Sequence, residues 1–233
     1  MSSQVYRSQD VVAFDDVLAD REFNDLFRYL NSVEYTSVHA RAWRKVWRLH
    51  DGDPLTGRAG WYLSNSSTPL HPSEQVFPTS TPLDALVSWI WDHIADFEEV
   101  IGTPALEWDR FSFAPWIYPA GSGLSLHADG VLYTGGYTYF AHPTWRLHWG
   151  GHLLVLDRNT SPRSAQTGAL WPPFLDDDSE TRRVFNPGLA TAFFPKPNRI
   201  VVLSAHAEHL LTRVDQNAGQ VPRVSVAGFF HKP

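Results

Sequence analysis

The sequence predicts a mainly β domain with supporting helices, and three observations lead to this prediction. Short apolar runs separated by Gly, Pro and Asn fill the second half of the chain, which is typical of an antiparallel sandwich or barrel. Two amphipathic segments with helical spacing lie in the first half. The chain has 233 residues, 43% of them hydrophobic, which is enough for one large core. We therefore expect a single domain over 1–233, with a helical and loop supporting region at 1–107 and a β core at 108–233.

The two helices are indicated by the spacing of their apolar residues. The first is predicted at 20–31. The second is predicted to begin with Thr81 as N-cap, to have Pro82 at its first helical position, and to end at Gly102. The segment 51–80, rich in Gly, Pro, Ser and Thr, is predicted to form loops around one or two short strands.

The second half contains six predicted strands, at 110–118, 136–140, 152–156, 190–194, 199–204 and 221–230. Helical segments followed by a run of strands predict a sheet that is covered by helices on one face.

Composition and charge exclude several kinds of site. The chain has no Cys, which excludes disulfides, thiolate metal sites and a Cys nucleophile. A net charge of −6 argues against nucleic acid as a general partner. No apolar run is long enough to span a bilayer and the N-terminus lacks a signal-peptide pattern, so we expect a cytoplasmic protein without a membrane partner. The basic segment 41–48 is interpreted either as a solvated edge or as a contact surface for an anionic substrate.

A His-x-Asp pair at His127 and Asp129 follows a turn-rich segment. In an extended strand, residues two positions apart point to the same side, so both side chains could hold one metal ion. A third ligand would complete the two-histidine, one-carboxylate set of non-haem iron(II) oxygenases. Because the chain has 11 His, one such pair is expected by chance, and its meaning depends on the other residues.

Two histidines are candidates for the third ligand. His206 and His209 both follow an apolar run, and His206 with Glu208 forms a rival His-x-carboxylate pair. Further along the chain, Arg223 and Ser225 would share one face of a predicted strand. A buried Arg is costly unless it is paired, so this pair indicates either a site for a ligand carboxylate or an ordinary surface Arg on an edge strand.

The order of these residues resembles that of the iron(II)/2-oxoglutarate-dependent oxygenases, in their prolyl-4-hydroxylase-like branch. The His-x-Asp pair comes first, a distal His follows, and Arg223-x-Ser225 ends the series. Three further segments are similar to the family's pattern: Tyr118 with the Gly-containing turn at 119–123, the Gly-Gly-x-Leu segment at 150–153 after Trp145, and the strand at 194–203. The resemblance covers roughly 108–230.

The resemblance implies a double-stranded β-helix, the jelly-roll or cupin-like barrel, and a hydroxylase that uses Fe(II), 2-oxoglutarate and O2. The implied iron ligands are His127, Asp129 and His209, because the family's distal His is followed by an apolar strand, as His209 is. Arg223, with Ser225 and Tyr118, would bind the distal carboxylate of 2-oxoglutarate. Succinate and CO2 are the implied co-products, and ascorbate is a candidate reductant.

Two positions narrow the activity that the resemblance implies. Halogenating relatives replace the carboxylate ligand with a small residue, so Asp129 favours hydroxylation or another oxidation such as desaturation or ring closure. Relatives that repair alkylated nucleic acids carry a second Arg where this chain has Phe229, which argues against a nucleic-acid substrate.

The expected substrate is a small molecule, such as an amino acid or a natural-product intermediate. A protein or peptide side chain is the alternative substrate. A non-catalytic β-barrel binding protein, or a cupin-like enzyme that does not use 2-oxoglutarate, are the alternative functions. Seven aromatic or imidazole side chains could surround the site, with core packing as the other interpretation: Trp116, Tyr133, Tyr137, Tyr139, Trp145, His148 and Trp149. The oligomeric state is left open.

Overall fold

Two sheets that pack face to face form the molecule. The computed structural model describes residues 2–40, 49–64, 74–156 and 189–233, so the basic segment at 41–48 lies outside the described residues. The strands, in chain order, are β1 Ser3–Arg7, β2 Val11–Asp15, β3 Thr36–Ser37, β4 Leu55–Thr56, β5 Gly60–Leu63, β6 Gln75–Val76, β7 Arg110–Tyr118, β8 Leu124–His127, β9 Tyr133–Phe140, β10 Leu153–Leu156, β11 Ala190–Phe193, β12 Ile200–Ser204, β13 His209–Leu211 and β14 Arg223–His231.

The major sheet runs in the order β1-β2-β12-β9-β14-β7-β4-β3, with β5 also paired to β7 and β6 paired to β5. The minor sheet runs in the order β11-β10-β13-β8. All pairs in the described residues are antiparallel except β5 with β6. One apolar cluster contains side chains from both sheets, among them Phe140 and Leu203 of the major sheet and Leu153 and Leu211 of the minor sheet. The barrel interior therefore lies between the two sheets.

The helices cover the outer face of the major sheet. They are α1 Asp20–Leu30, α2 Leu83–Asp92 and α3 Glu98–Ile101. Leu26 of α1 and Ile90 of α2 are fully buried in a second cluster with Tyr139 and Val202 of the sheet. Burying each such aliphatic side chain contributes about 1.5–3 kcal/mol. The predicted arrangement, a β-rich core with helices on one face, is confirmed.

The predicted helix between Thr81 and Gly102 is interrupted, which corrects the sequence prediction. Its apolar stripe is buried as expected, but α2 ends at Asp92 and a short 3-10 turn, Ile94–Asp96, separates it from α3. His93 has φ −106° and ψ 15°, outside the helical region, and its Nδ1 bonds back to the carbonyl of Trp89 at 2.9 Å. The bend keeps the later apolar residues against the sheet, which a straight helix would not do.

The six strands predicted in the second half are present, but β8 and β13 were not predicted. In the first half, β4, β5 and β6 lie within 51–80, where one or two short strands were expected. β7 coincides with 110–118, and the other five predicted strands are present with ends shifted by one to three residues. β1 and β2 were not predicted. All five residues of β2 are buried, because the strand is covered on both faces, and such a strand shows no polar alternation. No helix in the described part of the chain is long and apolar enough to cross a membrane.

Candidate metal centre

Two histidines face each other across adjacent strands of the minor sheet. His127 is the last residue of β8 and His209 is the first residue of β13, and the two positions are directly paired. Their ring centroids are 4.2 Å apart. Asp129 follows two residues after His127, and its Oδ1 lies 3.7 Å from His127 Nε2. One ligand atom from each of His127, Asp129 and His209 lies within 4.8 Å of the other two, which is the spacing of a metal site.

Backbone carbonyls orient both imidazole rings. His127 Nδ1 lies 2.8 Å from the carbonyl oxygen of Ser125, and His209 Nδ1 lies 2.9 Å from that of Ala207. A ring that donates its Nδ1–H to a carbonyl keeps the lone pair of Nε2 free for a metal ion. Each histidine thus donates its Nδ1–H to the carbonyl two residues before it. These backbone hydrogen bonds favour the tautomer whose Nε2 can bind a metal ion.

His206, the rival candidate for the third ligand, lies away from this cluster. It is exposed in the turn after β12, whereas His209 is buried at the start of β13. Neither His206 nor Glu208 belongs to a group of possible metal ligands among the described residues. The structure therefore brings His209, and not His206, beside His127.

Asp129 is held against a glycine of the major sheet. Its side chain is 4% exposed. A Cβ atom at Gly136 of β9 would lie 2.9 Å from Asp129 Oδ2, closer than side chains normally approach. Gly136 therefore makes room for the carboxylate, which lies against the major sheet.

Arg223 is buried inside the barrel beside Tyr118, its directly paired neighbour in β7. It is 1% exposed, and its Nη1 donates to Ser225 Oγ at 3.3 Å. Its Nε and Nη2 have no hydrogen-bond partner among the described residues. The guanidinium carbon lies 5.0 Å from the ring centroid of Tyr118 and 4.8 Å from that of Phe140, which is cation–π distance. The three predicted cofactor residues, Arg223, Ser225 and Tyr118, are thus neighbours.

Burial shifts the acidity of this cluster without changing its charge at neutral pH. Burial lowers the pKa of Arg223 to about 10, against the opposing influence of Tyr118. Burial also raises the pKa of Tyr118 to about 12, although the Arg223 cation works in the other direction. Near pH 7 the barrel interior therefore contains a guanidinium cation, two of whose nitrogens find no partner among the residues that the structure describes. Such an arrangement is costly unless an anion pairs with the cation.

Two residues pack around Arg223, and one of them gave no signal in the sequence. Gly151, in the predicted Gly-Gly segment, has φ +68°, and a Cβ there would lie 2.9 Å from Arg223 Cδ. His142 is buried, with its ring nitrogens 3.1 Å from the carbonyl oxygen of Val224 and 2.7 Å from that of Pro195. Burial and the nearby Arg223 cation lower the pKa of His142 to about 4, although the two carbonyls favour the protonated ring. His142 is therefore neutral at physiological pH.

A cavity of about 550 Å³ opens beside the triad. All three ligand candidates line it, and so does Tyr118, whose ring contacts Arg223. Of the seven residues proposed from the sequence, Trp116, Tyr133 and Tyr137 belong to the lining of this cavity, although the Tyr137 ring packs in the helix-side cluster. The other four, Tyr139, Trp145, His148 and Trp149, do not belong to the lining. Tyr139 points to the opposite face of the major sheet, where it packs in the helix-side cluster.

The chemistry of these groups fits a divalent first-row metal ion. Two imidazole nitrogens and one carboxylate oxygen form a mixed nitrogen and oxygen donor set, and imidazole and carboxylate together suit iron, zinc and similar ions. All three residues that would hold an ion also line the cavity. The buried Arg223 nearby could pair with a carboxylate.

Comparisons with known proteins identify the fold. No protein-family model and no curated protein matches the sequence. Solved structures do match. A prolyl-4-hydroxylase from Pseudomonas putida superposes with a TM-score of 0.58 at 14% identity, over 96% of this chain and 93% of that protein.

Two further structures match over similar lengths. An oxidoreductase of the 2OG-Fe(II) oxygenase family from Burkholderia pseudomallei has a TM-score of 0.56 at 12% identity, over 95% of this chain and 85% of its own. A prolyl hydroxylase from Trichoplax adhaerens, in complex with a peptide fragment of the hypoxia inducible factor oxygen degradation domain, has a TM-score of 0.56 at 10% identity, over 97% and 84%. The chain therefore has the double-stranded β-helix fold that 2OG-Fe(II) oxygenases, prolyl hydroxylases among them, share.

Proposed function

We propose that this chain is an Fe(II)/2-oxoglutarate-dependent dioxygenase that hydroxylates, or otherwise oxidises, an unactivated C–H bond. The observation that carries the proposal is the convergence of His127, Asp129 and His209, whose ligand atoms lie within 4.8 Å of one another at the mouth of a cavity. The proposal treats 1–233 as one domain, since β1 and β2 belong to the same sheet as β7, β9 and β14.

The donor set supports iron as the metal. Both imidazoles are oriented by carbonyls so that Nε2 faces the site, and Asp129 supplies one anionic oxygen. Two neutral nitrogens and one carboxylate neutralise only one of the two charges of Fe(II), so an anionic second ligand is favoured there. The 2-oxo acid end of 2-oxoglutarate provides such a ligand.

The unsatisfied guanidinium of Arg223 supports 2-oxoglutarate as the co-substrate. Nε and Nη2 of Arg223 are buried and without partners among the described residues, and a carboxylate is the group whose geometry matches them. Ser225 and Tyr118 adjoin the same guanidinium and would add hydrogen bonds. An ordinary surface Arg, the alternative from the sequence, does not account for a side chain that is 1% exposed.

Bound Fe(II) and 2-oxoglutarate would supply the oxidation itself, consuming O2 and releasing succinate and CO2 for each C–H bond oxidised. The side chains of this protein have simpler tasks. His127, Asp129 and His209 would hold the ion, Arg223 would anchor the co-substrate, and the largely apolar cavity wall would limit water around the reacting group.

For the substrate we propose a small molecule. Trp116, Tyr133 and Phe229 line a cavity whose volume suits one small ligand. The Trichoplax prolyl hydroxylase binds a peptide, so a protein or peptide side chain is the second candidate substrate.

The test is to combine anaerobic protein with Fe(II) and 2-oxoglutarate and to record the visible spectrum. We expect a weak metal-to-ligand charge-transfer band, and succinate formation once O2 is admitted. His127→Ala should abolish both, because it removes a ligand. A protein that binds no Fe(II) would point to a non-catalytic barrel. Arg223→Ala should keep Fe(II) but need much more 2-oxoglutarate to form the band. Fe(II) binding with no response to 2-oxoglutarate in either protein would point to a cupin-like enzyme without 2-oxoglutarate.

A further inference from the structure

Small residues on two neighbouring strands create the cavity. Strand alternation turns Gly136 and Thr138 of β9, and Ala227 and Phe229 of β14, towards the barrel interior. Thr138 is paired directly with Ala227, and Gly136 with Phe229. Two short side chains therefore lie opposite each other where bulky residues would fill the space. The short side chains leave space above these two strands, and the resulting cavity has a volume of about 550 Å³, which suits one small molecule.

The walls of this cavity are apolar and uncharged. Apart from His127, Asp129 and His209, no described residue lining it carries an ionisable side chain other than three tyrosines. The hydroxyl of Tyr137 already donates to the carbonyl of Ser112 at 3.1 Å. The ring of Tyr133 stacks on Phe229 with centroids 4.6 Å apart. Away from these three proposed metal ligands, the described wall thus offers contact surface for hydrocarbon and no counter-charge for an ammonium or a second carboxylate.

The entrance is apolar as well. Val131 and Leu132, which follow Asp129 and Gly130, both line the cavity and are 81% and 65% exposed. Exposed aliphatic side chains beside a cavity lose contact with water when an apolar ligand enters. Their position next to a metal ligand places this apolar contact close to the reacting group.

We infer that the substrate is a small molecule that inserts an uncharged, apolar group into this cavity, so that a free amino acid is not the preferred substrate. The inference rests on the proposed function and names its substrate class. A charged group would lose its hydration without gaining a partner on the described wall, whereas a hydrocarbon group gains burial against Trp116, Leu203 and Phe229.

Three probes with one carbon skeleton test the inference: 3-phenylpropanamide, which is neutral, 3-phenylpropylammonium, and phenylalanine as the zwitterion. Their binding is measured by titration calorimetry without O2, to protein loaded with Fe(II) and 2-oxoglutarate and to protein without either. We expect the amide to bind both forms of the protein. For the loaded form, its affinity should be roughly tenfold or more above that of either charged compound. Charged compounds that bind as tightly as the amide would overturn the inference.

Substitutions in the cavity test whether the amide binds there. Ala227→Leu fills the floor of the cavity and should remove amide binding, and Thr138→Leu on the neighbouring strand should do the same if Ala227→Leu folds poorly. Ala192→Leu, the same change at an exposed position of β11, is the matched control and should keep it. Amide binding that both cavity variants retain would contradict the inference.

The same experiment separates this inference from the proposed function. If no charge-transfer band forms, the proposed function fails, and the titrations of the metal-free protein still decide about the cavity. If the band forms and the zwitterion is preferred, the enzyme class stands and the substrate class inferred here is wrong.

Discussion

Replacing Arg223 with Met tests whether the buried guanidinium exists for a ligand. The side chain is 1% exposed, and two of its nitrogens lack partners among the described residues. If both bond the distal carboxylate of 2-oxoglutarate, the variant loses two charge-assisted hydrogen bonds, about 1.5–2 kcal/mol each. A loss of about 3–4 kcal/mol raises the dissociation constant for 2-oxoglutarate roughly 100- to 1000-fold.

The same variant should not weaken the protein in the absence of 2-oxoglutarate. Removing an unpaired buried charge and replacing it with an apolar side chain of similar length is often neutral or stabilising. We therefore expect an unchanged or higher free energy of unfolding for the ligand-free variant, measured by chemical denaturation, together with the weaker binding measured by calorimetry. If Arg223 only stabilised the fold, the variant would have a lower free energy of unfolding and an unchanged affinity for 2-oxoglutarate.

Arg110→Met provides the matched control for this experiment. Arg110 begins β7 in the same sheet, and its guanidinium lies over Trp61 at 5.5 Å, far along the strand from Tyr118. Its replacement should leave the affinity for 2-oxoglutarate unchanged. The reasoning about Arg223 is refuted if the variant binds 2-oxoglutarate as tightly as the wild type does.

Three further predictions concern the ligands, the support of Arg223 and a buried histidine. His209→Ala should abolish iron-dependent succinate formation and iron retention, whereas His206→Ala should keep both, because only His209 lies beside the other ligands; the reverse result would reassign the distal ligand. Gly151→Ala should cost about 1–2 kcal/mol of stability in thermal unfolding, since its φ is +68°, and should also weaken 2-oxoglutarate binding by displacing Arg223; normal binding would show that the close contact is unimportant. Burial lowers the pKa of His142 from 6.5 to about 4, so as the pH falls His142 is protonated in the unfolded chain before it is protonated in the folded one. This contribution to the free energy of unfolding is fully present above pH 6.5 and is lost as the pH falls to about 4, by up to about 3 kcal/mol. His142→Phe should therefore show a shallower loss of stability than the wild type between those pH values, and identical slopes would contradict the assignment.

Local patterns were sufficient for the elements that have strong punctuation or a clear apolar face. β7 and β14, although mostly buried, are bounded by turn residues, and α1 has a clear apolar face. The same reasoning missed β2, because a strand covered on both faces carries no alternation to detect. It also extended the second helix through His93, because the apolar periodicity continues across a bend that only packing against the sheet produces.

The residues of the candidate site also divide into those that local sequence predicted and those that depend on the fold. The spacing of His127 and Asp129 placed two ligands together, since local strand geometry fixes their relation. The residues alone could not choose between His206 and His209, because the choice depends on which strand of the minor sheet lies beside β8. No sequence pattern predicted a role for His142. Its contact with the carbonyl of Val224 depends on the pairing of β9 with β14, which only the folded structure shows.

The sequence by itself determined the class of fold, the positions of six of the strands, and a set of candidate residues, with His206 and His209 both among them, that have the chemistry to hold a metal ion and a carboxylate. Those properties depend on residue type and on spacing within single elements. Only the tertiary structure decided that His209 faces His127, that Arg223 is buried with two nitrogens lacking partners in the described part of the chain, and that Thr138 and Ala227 leave an apolar cavity between them. These depend on the register of strands that are distant in the chain, which long-range packing sets and local sequence does not encode.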